Sequence, residues 1–292
     1  NSWAAERRLP GFLAALMLFF SFSILAAGAA EARRLTIGSI SLDPVGEVRA
    51  YQPFADFLSG MLRSSGIDGA SVVVAESIDQ MARLVREKQV DLFIDSSVSA
   101  LMVNQLSGSK FLLRRWKEGR DANRSVVVVR ANSRFWKFSD LSGETVAFEQ
   151  PFSTSGFMLP AMAMANSGLP LVQLGGTAQT PPRGMIGYVM GHDAETQLTW
   201  VEREQVAAAA MSEGAYRDLA PTALTPLRVL YSSPIVPDHV VVYGAHLEEA
   251  LVSRIRTVLL NAHNSQHGAD VLDDFERTTM FDEIPQPLLG NF

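Results

Sequence analysis

What most limits the fold of this 292-residue chain is a repeated alternation of short apolar, β-branched runs with helical stretches. Leu35 to Ile40, Ser71 to Ala75 and Val90 to Ile94 read as strands. Between them, Tyr51 to Ser64 places Phe54, Phe57, Leu58 and Met61 at helical spacing, and Ile78 to Lys88 reads as a helix. Such alternation implies βαβ units, hence an α/β fold with mainly parallel sheets. Ser125 to Arg130 is a fourth strand, apolar on both faces through Val126–Val129. A second set follows: a strand at Thr145, a helix from Phe157, a Gly/Pro-rich connection from Gly175 to Gly184, a helix from about Ala194 to Glu204 and the apolar run Val206 to Met211. Leu227 to Tyr231 and Val240 to Tyr243 are further strands, and Leu247 to His263 is an amphipathic helix. Two such sets, with a final segment able to return to the first, predict two lobes around a cleft. Ligands of open α/β sheets bind beyond the carboxyl ends of the strands.

One strand–helix junction carries chemistry. Between the Thr145–Phe148 strand and the Phe157 helix lie Ser153, Thr154, Ser155 and Gly156. A helix N-terminus leaves its first N–H groups unpaired and holds about half a positive charge, so hydroxyls gathered there can coordinate an oxyanion without Lys or Arg. Ser and Thr are also the ordinary N-caps, and the residue types alone leave both roles open.

Composition narrows the partners. A net charge of −6 argues against nucleic acid, and the absence of cysteine excludes disulfides and thiol catalysis and leaves zinc only His and carboxylates. The basic stretch Lys110 to Arg124 reads as a solvated loop face, because Glu118 and Asp121 dilute it. His263 and His267, four apart, share a helical face with Asp270, without an identifiable third ligand side; a solvated helix end is the simpler reading, and no metal or other cofactor is expected. Ser155, His192 and Asp238 supply the residue types of a hydrolytic triad, but no G-x-S-x-G elbow is present, and the chain is read as a non-enzyme.

At the N-terminus, Arg7 and Arg8 precede an apolar run from Leu9 to Ala27, followed by Ala27-Gly28-Ala29 and Ala30-Glu31-Ala32. This pattern predicts a cleavable export signal over residues 1–32, a mature chain from near Ala30 or Arg33, and a periplasmic destination. The apolar run is short for a retained membrane anchor.

The pieces YQPFADFLSGML, VDLFIDSSVSA, LLRRWKEG, RSVVVVRANS, FSDLSGETVAFEQPFSTSGFMLP, GHDAETQL and SSPIVPDHVVV, in this order, resemble the phosphonate/phosphite-binding family of ABC-transporter substrate-binding proteins. The segment Asp140 to Pro160 is the most specific. The resemblance implies a type 2 periplasmic binding protein, with lobe one at 33–130 plus 236–292, lobe two at 131–235 and a hinge between them. It implies that Ser153, Thr154 and Ser155 hold the ligand's oxygens, with His192, Asp238 and Tyr51 as further ligand contacts. It implies a small oxyanion (phosphonate, phosphite or phosphate-like) as ligand, an inner-membrane ABC permease as partner and a monomer in solution. The alternative within the same fold is a sensing subunit that reports to a membrane kinase. Two positions depart from the family pattern: Ala100 and Asn123 stand where aromatics are frequent, which predicts a wider or differently lined pocket. Glu213 is a further acidic candidate.

Overall fold

The computed structural model describes residues 33–289. Residues 1–32, read above as an export signal, lie outside the described residues. Among those described, no helix is long and apolar enough to cross a membrane.

The chain opens with β1 (Arg33–Ile40), α1 (Pro44–Met61), β2 (Ile67–Ala75), α2 (Ile78–Arg86), β3 (Leu92–Ser96) and α3 (Ser97–Ser107). These give two crossovers, with β1 parallel to both β2 and β3. Next come β4 (Lys110–Lys117), the two-residue β5 (Ala122–Asn123) and β6 (Ser125–Arg130). The second set is β7 (Thr145–Phe148), a π-turn over Thr154–Met158, α4 (Leu159–Asn166), β8 (Leu171–Gln173), β9 (Ile186–Met190), α5 (Ala194–Glu202), β10 (Ala208–Ser212), α6 (Glu213–Leu219) and β11 (Leu227–Ser232). The chain returns through β12 (Val236–Pro237), β13 (His239–Tyr243), α7 (Glu249–Asn261), α8 (Gln266–Asp274) and β14 (Thr278–Asp282).

Two six-stranded mixed sheets result, in the orders β14-β4-β13-β3-β1-β2 and β11-β6-β10-β7-β9-β8. Each is parallel on one side and antiparallel on the other, because the returning strands β13, β4 and β14, and β6 and β11, run against their neighbours. Both sheets are covered on both faces. In the first, Leu35, Ile37 and Val241 face α1, α7 and α8 with Phe54, Leu58, Ile255 and Phe281. Val240 and Val242 face α2 and α3 with Met81, Phe93 and Val103. Along β6, Val127 and Val129 enter one core and Val126 and Val128 the other, as the two-residue period of a strand requires. All four valines are at most 1% exposed, so each is worth about 1.5–3 kcal/mol relative to an exposed position.

Three sequence expectations change here. Ser125–Arg130 belongs to the second sheet, between β11 and β10, and not with the first set. The basic stretch Lys110–Arg124 is not a loop face: its first eight residues are β4, an interior strand of the first sheet. Its charges are neutralised from far along the chain: Arg114 pairs with Asp282 at 2.5 Å, and Arg115, fully buried, donates to Thr278 Oγ1 at 2.8 Å and to Glu276 at 3.0 Å. Ala100, third, is fully buried in the core beneath α3 with Phe93 and Val103, on the helix face turned to the sheet. It widens no pocket.

The sheets are joined by two crossing segments whose middles form a short antiparallel ladder, with Val236 opposite Asn123 and Pro237 opposite Ala122. Ser125 and Ser233 brace it: the Ser125 N–H donates to Ser233 Oγ, and the Ser233 N–H donates to the Ser125 carbonyl, both at 2.9 Å.

Candidate ligand-binding site

A cavity of about 430 Å³ opens where the carboxyl ends of β1, β3, β7 and β9 meet the crossing segments. Ser153, Thr154, Ser155, His192, Asp238 and Tyr51 all line it. Sequence positions 51 to 238 are brought together because parallel strands deliver the loops after them to one edge.

The turn after β7 is built to present backbone N–H groups. Ser153 caps it, its Oγ accepting from the Gly156 N–H at 3.0 Å, while the N–H groups of Phe157 and Met158 both donate to the Ser153 carbonyl. The N–H groups of Thr154 and Ser155 precede the first intrahelical bond and have no acceptor within the helix. The Ser155 carbonyl is held by Ser125 Oγ at 2.6 Å, which fixes the turn to β6. Glu149 lies against it: its Oε2 accepts from Ser153 Oγ at 2.7 Å, and a Cβ at position 156 would overlap that carboxylate. A side chain at 156 would therefore have to displace the Glu149 carboxylate. Burial raises the Glu149 carboxyl above its ordinary value, with the Ser153 bond acting against it.

His192 follows β9 in the left-handed region, φ +66°, and its exposed ring borders the cavity. His is among the side chains that adopt this region more readily than most. Tyr51 is 2% exposed and packs edge-on against Phe275 at 4.6 Å. Its hydroxyl donates to the Ile94 carbonyl at 3.1 Å, so the ring supplies wall and the hydroxyl is already engaged. Asp238 sits at the end of the crossing ladder. Burial favours its neutral form, but His239 beside it and the Asn123 amide, which donates to Oδ1 at 3.1 Å, outweigh that and lower its carboxyl. Asn123, in place of an aromatic, is thus the partner that orients Asp238. Glu213 lies outside the cavity lining and pairs with Arg217 at 3.0 Å and Arg124 at 3.7 Å. His267 packs its ring against Phe57 and Asp270 accepts from Gln266 at 2.7 Å, while His263 lies on the turn before α8 and not on the same helix. Among the described residues no cluster of three or more His, Asp or Glu is arranged to hold a metal ion.

Sequence reasoning missed the acidic wall opposite the turn. Glu47, from α1, and Asp95, at the end of β3, both face the cavity. Desolvation raises both carboxyls, Asp95 to about 7 even though it accepts N–H bonds from Ser96 at 2.6 Å and Ile40 at 3.3 Å. Glu276 also lines the cavity. Burial would raise its carboxyl, but Arg115 and Lys117 hold it down at about 2. The cavity's two cations are committed: Lys117 to Glu276 at 2.8 Å and Arg120 to Glu118. The signal that could have found Asp95 is positional, since a carboxylate closing an apolar parallel strand falls at the ligand edge.

Residues 41–286 match the sequence profile of the family described as the periplasmic phosphonate substrate-binding protein of ABC transporters. The chain belongs to this family. Its members are solute-binding proteins rather than enzymes. No curated protein matches the chain significantly. Among solved structures, a Xanthomonas citri protein, XAC2383, is similar with 26% identity and a TM-score of 0.81 in its chloride-bound form, over 88% of this chain and 94% of that one. The same protein bound to ATP matches at 25% identity with the same TM-score and coverage. PhnD1 of Prochlorococcus marinus, in complex with methylphosphonate, shares the fold at 17% identity and TM-score 0.63, over 89% of this chain and 96% of that one. These likenesses give the chain the fold of the type 2 periplasmic binding proteins.

Proposed function

We propose that this protein captures a small oxyanion of the phosphonate, phosphite or phosphate type between two lobes and passes it to an inner-membrane permease. The lobes are built on the two six-stranded sheets, and the crossing ladder is their hinge. The observation that carries the reading is the convergence of the Ser153–Gly156 turn, His192 and Asp238 on one cavity. The oxyanion is met by the N–H groups of Thr154 and Ser155, the hydroxyl of Ser155 and the His192 ring as donor, with the helix N-terminus supplying positive potential, while Ser153, its O–H donated to Glu149, holds the turn in shape. Tyr51 closes the wall.

The chloride and ATP complexes of the X. citri relative support an anion-binding cleft. The lining here favours a small ligand over a polyphosphate, because its carboxyl groups outnumber its cations and both cations are ion-paired. Asp238 and the acidic wall suit a ligand whose far end is a protonated oxygen or an amine. Small-angle scattering of the purified exported chain is the test of closure. The radius of gyration should fall on saturation with methylphosphonate or phosphite, since a ligand that bridges the lobes favours the closed state. An unchanged profile at saturation would refute closure.

A further inference from the structure

The hydroxyl of Thr154 does not face an open position in the cavity. Thr154 is 5% exposed, and its Oγ1 accepts from the Val98 N–H at 2.9 Å and donates to Ser96 Oγ at 3.0 Å. Val98 and Ser96 belong to the first sheet's side of the cleft and Thr154 to the second. Ser96 is the N-cap residue of α3, yet its own side chain makes no capping bond. Val98 is the second residue of that helix, and its N–H is the donor that an N-cap side chain ordinarily satisfies. The neighbouring Ser97 N–H is also taken from outside the helix, by the Asp238 carbonyl at 3.2 Å. The start of α3 is thus capped in trans by the second sheet's turn and by the crossing segment.

We infer that Thr154 is a positioning residue whose side chain holds the two sheets together: it caps α3 across the cleft and stabilises the closed geometry without spending its hydroxyl on the ligand. This rests on the two-lobe closure proposed above but not on the identity of the ligand. Opening the cleft must break both bonds, so the ligand-free protein populates the closed form alongside the open one, and ligand completes the closure. The anion then meets a turn fixed in place, through the Thr154 backbone N–H and Ser155. Loss of an N-cap typically costs about a factor of ten in equilibrium, so removing the hydroxyl should shift the closed-to-open ratio by about tenfold.

The chain contains no cysteine, which makes site-specific spin labelling direct. Met61 on α1 and Met162 on α4 are 48% and 57% exposed. Met61→Cys and Met162→Cys place one nitroxide on each sheet's helical cover. Double electron–electron resonance without any ligand should show both a short and a long separation in this background, a shift of about tenfold toward the longer separation in Thr154→Val, and a return toward the parent distribution in Thr154→Ser, which keeps the hydroxyl. If Thr154→Val does not fold, Ser96→Ala, which removes the acceptor, should shift the distribution in the same direction. An identical distribution in Thr154→Val and the parent, or a parent that shows only the long separation, would overturn the inference. Because no ligand is present, failure here is distinct from failure of anion binding.

Discussion

Asp95 gives the sharpest stability test, because replacing it by asparagine should make the protein more stable, and only above a certain pH. Its carboxyl is raised by desolvation from an ordinary 3.8 to about 7, with Glu47 adding to the shift and the N–H bonds from Ser96 and Ile40 opposing it. The folded protein therefore holds a proton that the unfolded chain releases near pH 4. Below about pH 4 both states are protonated and Asp95 imposes no penalty. Stability falls as pH rises from there, and above about pH 7 the penalty is complete. The interval of roughly 3 pH units corresponds to about 4 kcal/mol at 1.36 kcal/mol per unit, and relaxation around the ionised group should leave on the order of 2–4 kcal/mol. Asparagine never ionises; its oxygen keeps the Ser96 bond, and its NH2 replaces the Oδ2 that accepts the longer bond from Ile40, a loss that does not depend on pH. The stability difference between Asp95→Asn and the parent in urea unfolding should thus move steadily in the variant's favour from pH 4 to pH 8. A stability difference that is flat across this range would refute the placement of Asp95 in a dry acidic wall.

Arg115→Met should cost about 3–5 kcal/mol by leaving Glu276 without its guanidinium partner in the wall. In the parent, the stability Glu276 contributes is present above about pH 4.5 and is lost as pH falls through about 2, so acid titration of the two proteins should converge at low pH. Gly156→Ala should displace the Glu149 carboxylate and lower stability by about 1–3 kcal/mol, read from thermal unfolding. Asp238→Asn should weaken 2-aminoethylphosphonate by about 1.5–3 kcal/mol in calorimetry while leaving phosphite nearly unaffected. Equal losses would remove Asp238 from ligand selection.

The legible parts of this fold were those whose signal is local. Val126–Val129 announces a strand buried on both faces, Phe54 and Leu58 mark the inner face of α1, and Ser153–Gly156 between a strand and a helix marks a capped turn, which the fold sets at the edge of the cavity. What escaped depended on remote partners. Arg114 and Arg115 look like surface charges until Asp282 and Glu276, some 160 residues on, arrive to neutralise them on a buried strand. Glu47 and Asp95 become one wall only when α1 and β3 meet. Ala100 matched a family position in order along the chain, but the helical phase of α3 turns it toward the sheet. Thr154 read as one of three equivalent hydroxyls, and only the folded chain separates it from its neighbours by bringing Val98 within reach.

The central claim is that the Ser153–Gly156 turn binds a small oxyanion, and calorimetry on Ser155→Asp tests it most directly. A carboxylate at this position suits a helix N-terminus, so the fold should be retained. Set about 4 Å from a bound oxyanion, it opposes the ligand by on the order of 4 kcal/mol at an effective dielectric constant near 20. Titrations with methylphosphonate, phosphite and phosphate should show saturable binding of at least one by the parent and a loss of about a hundredfold or more in Ser155→Asp. Unchanged affinity in a folded Ser155→Asp protein would contradict the assignment of this turn as the anion site.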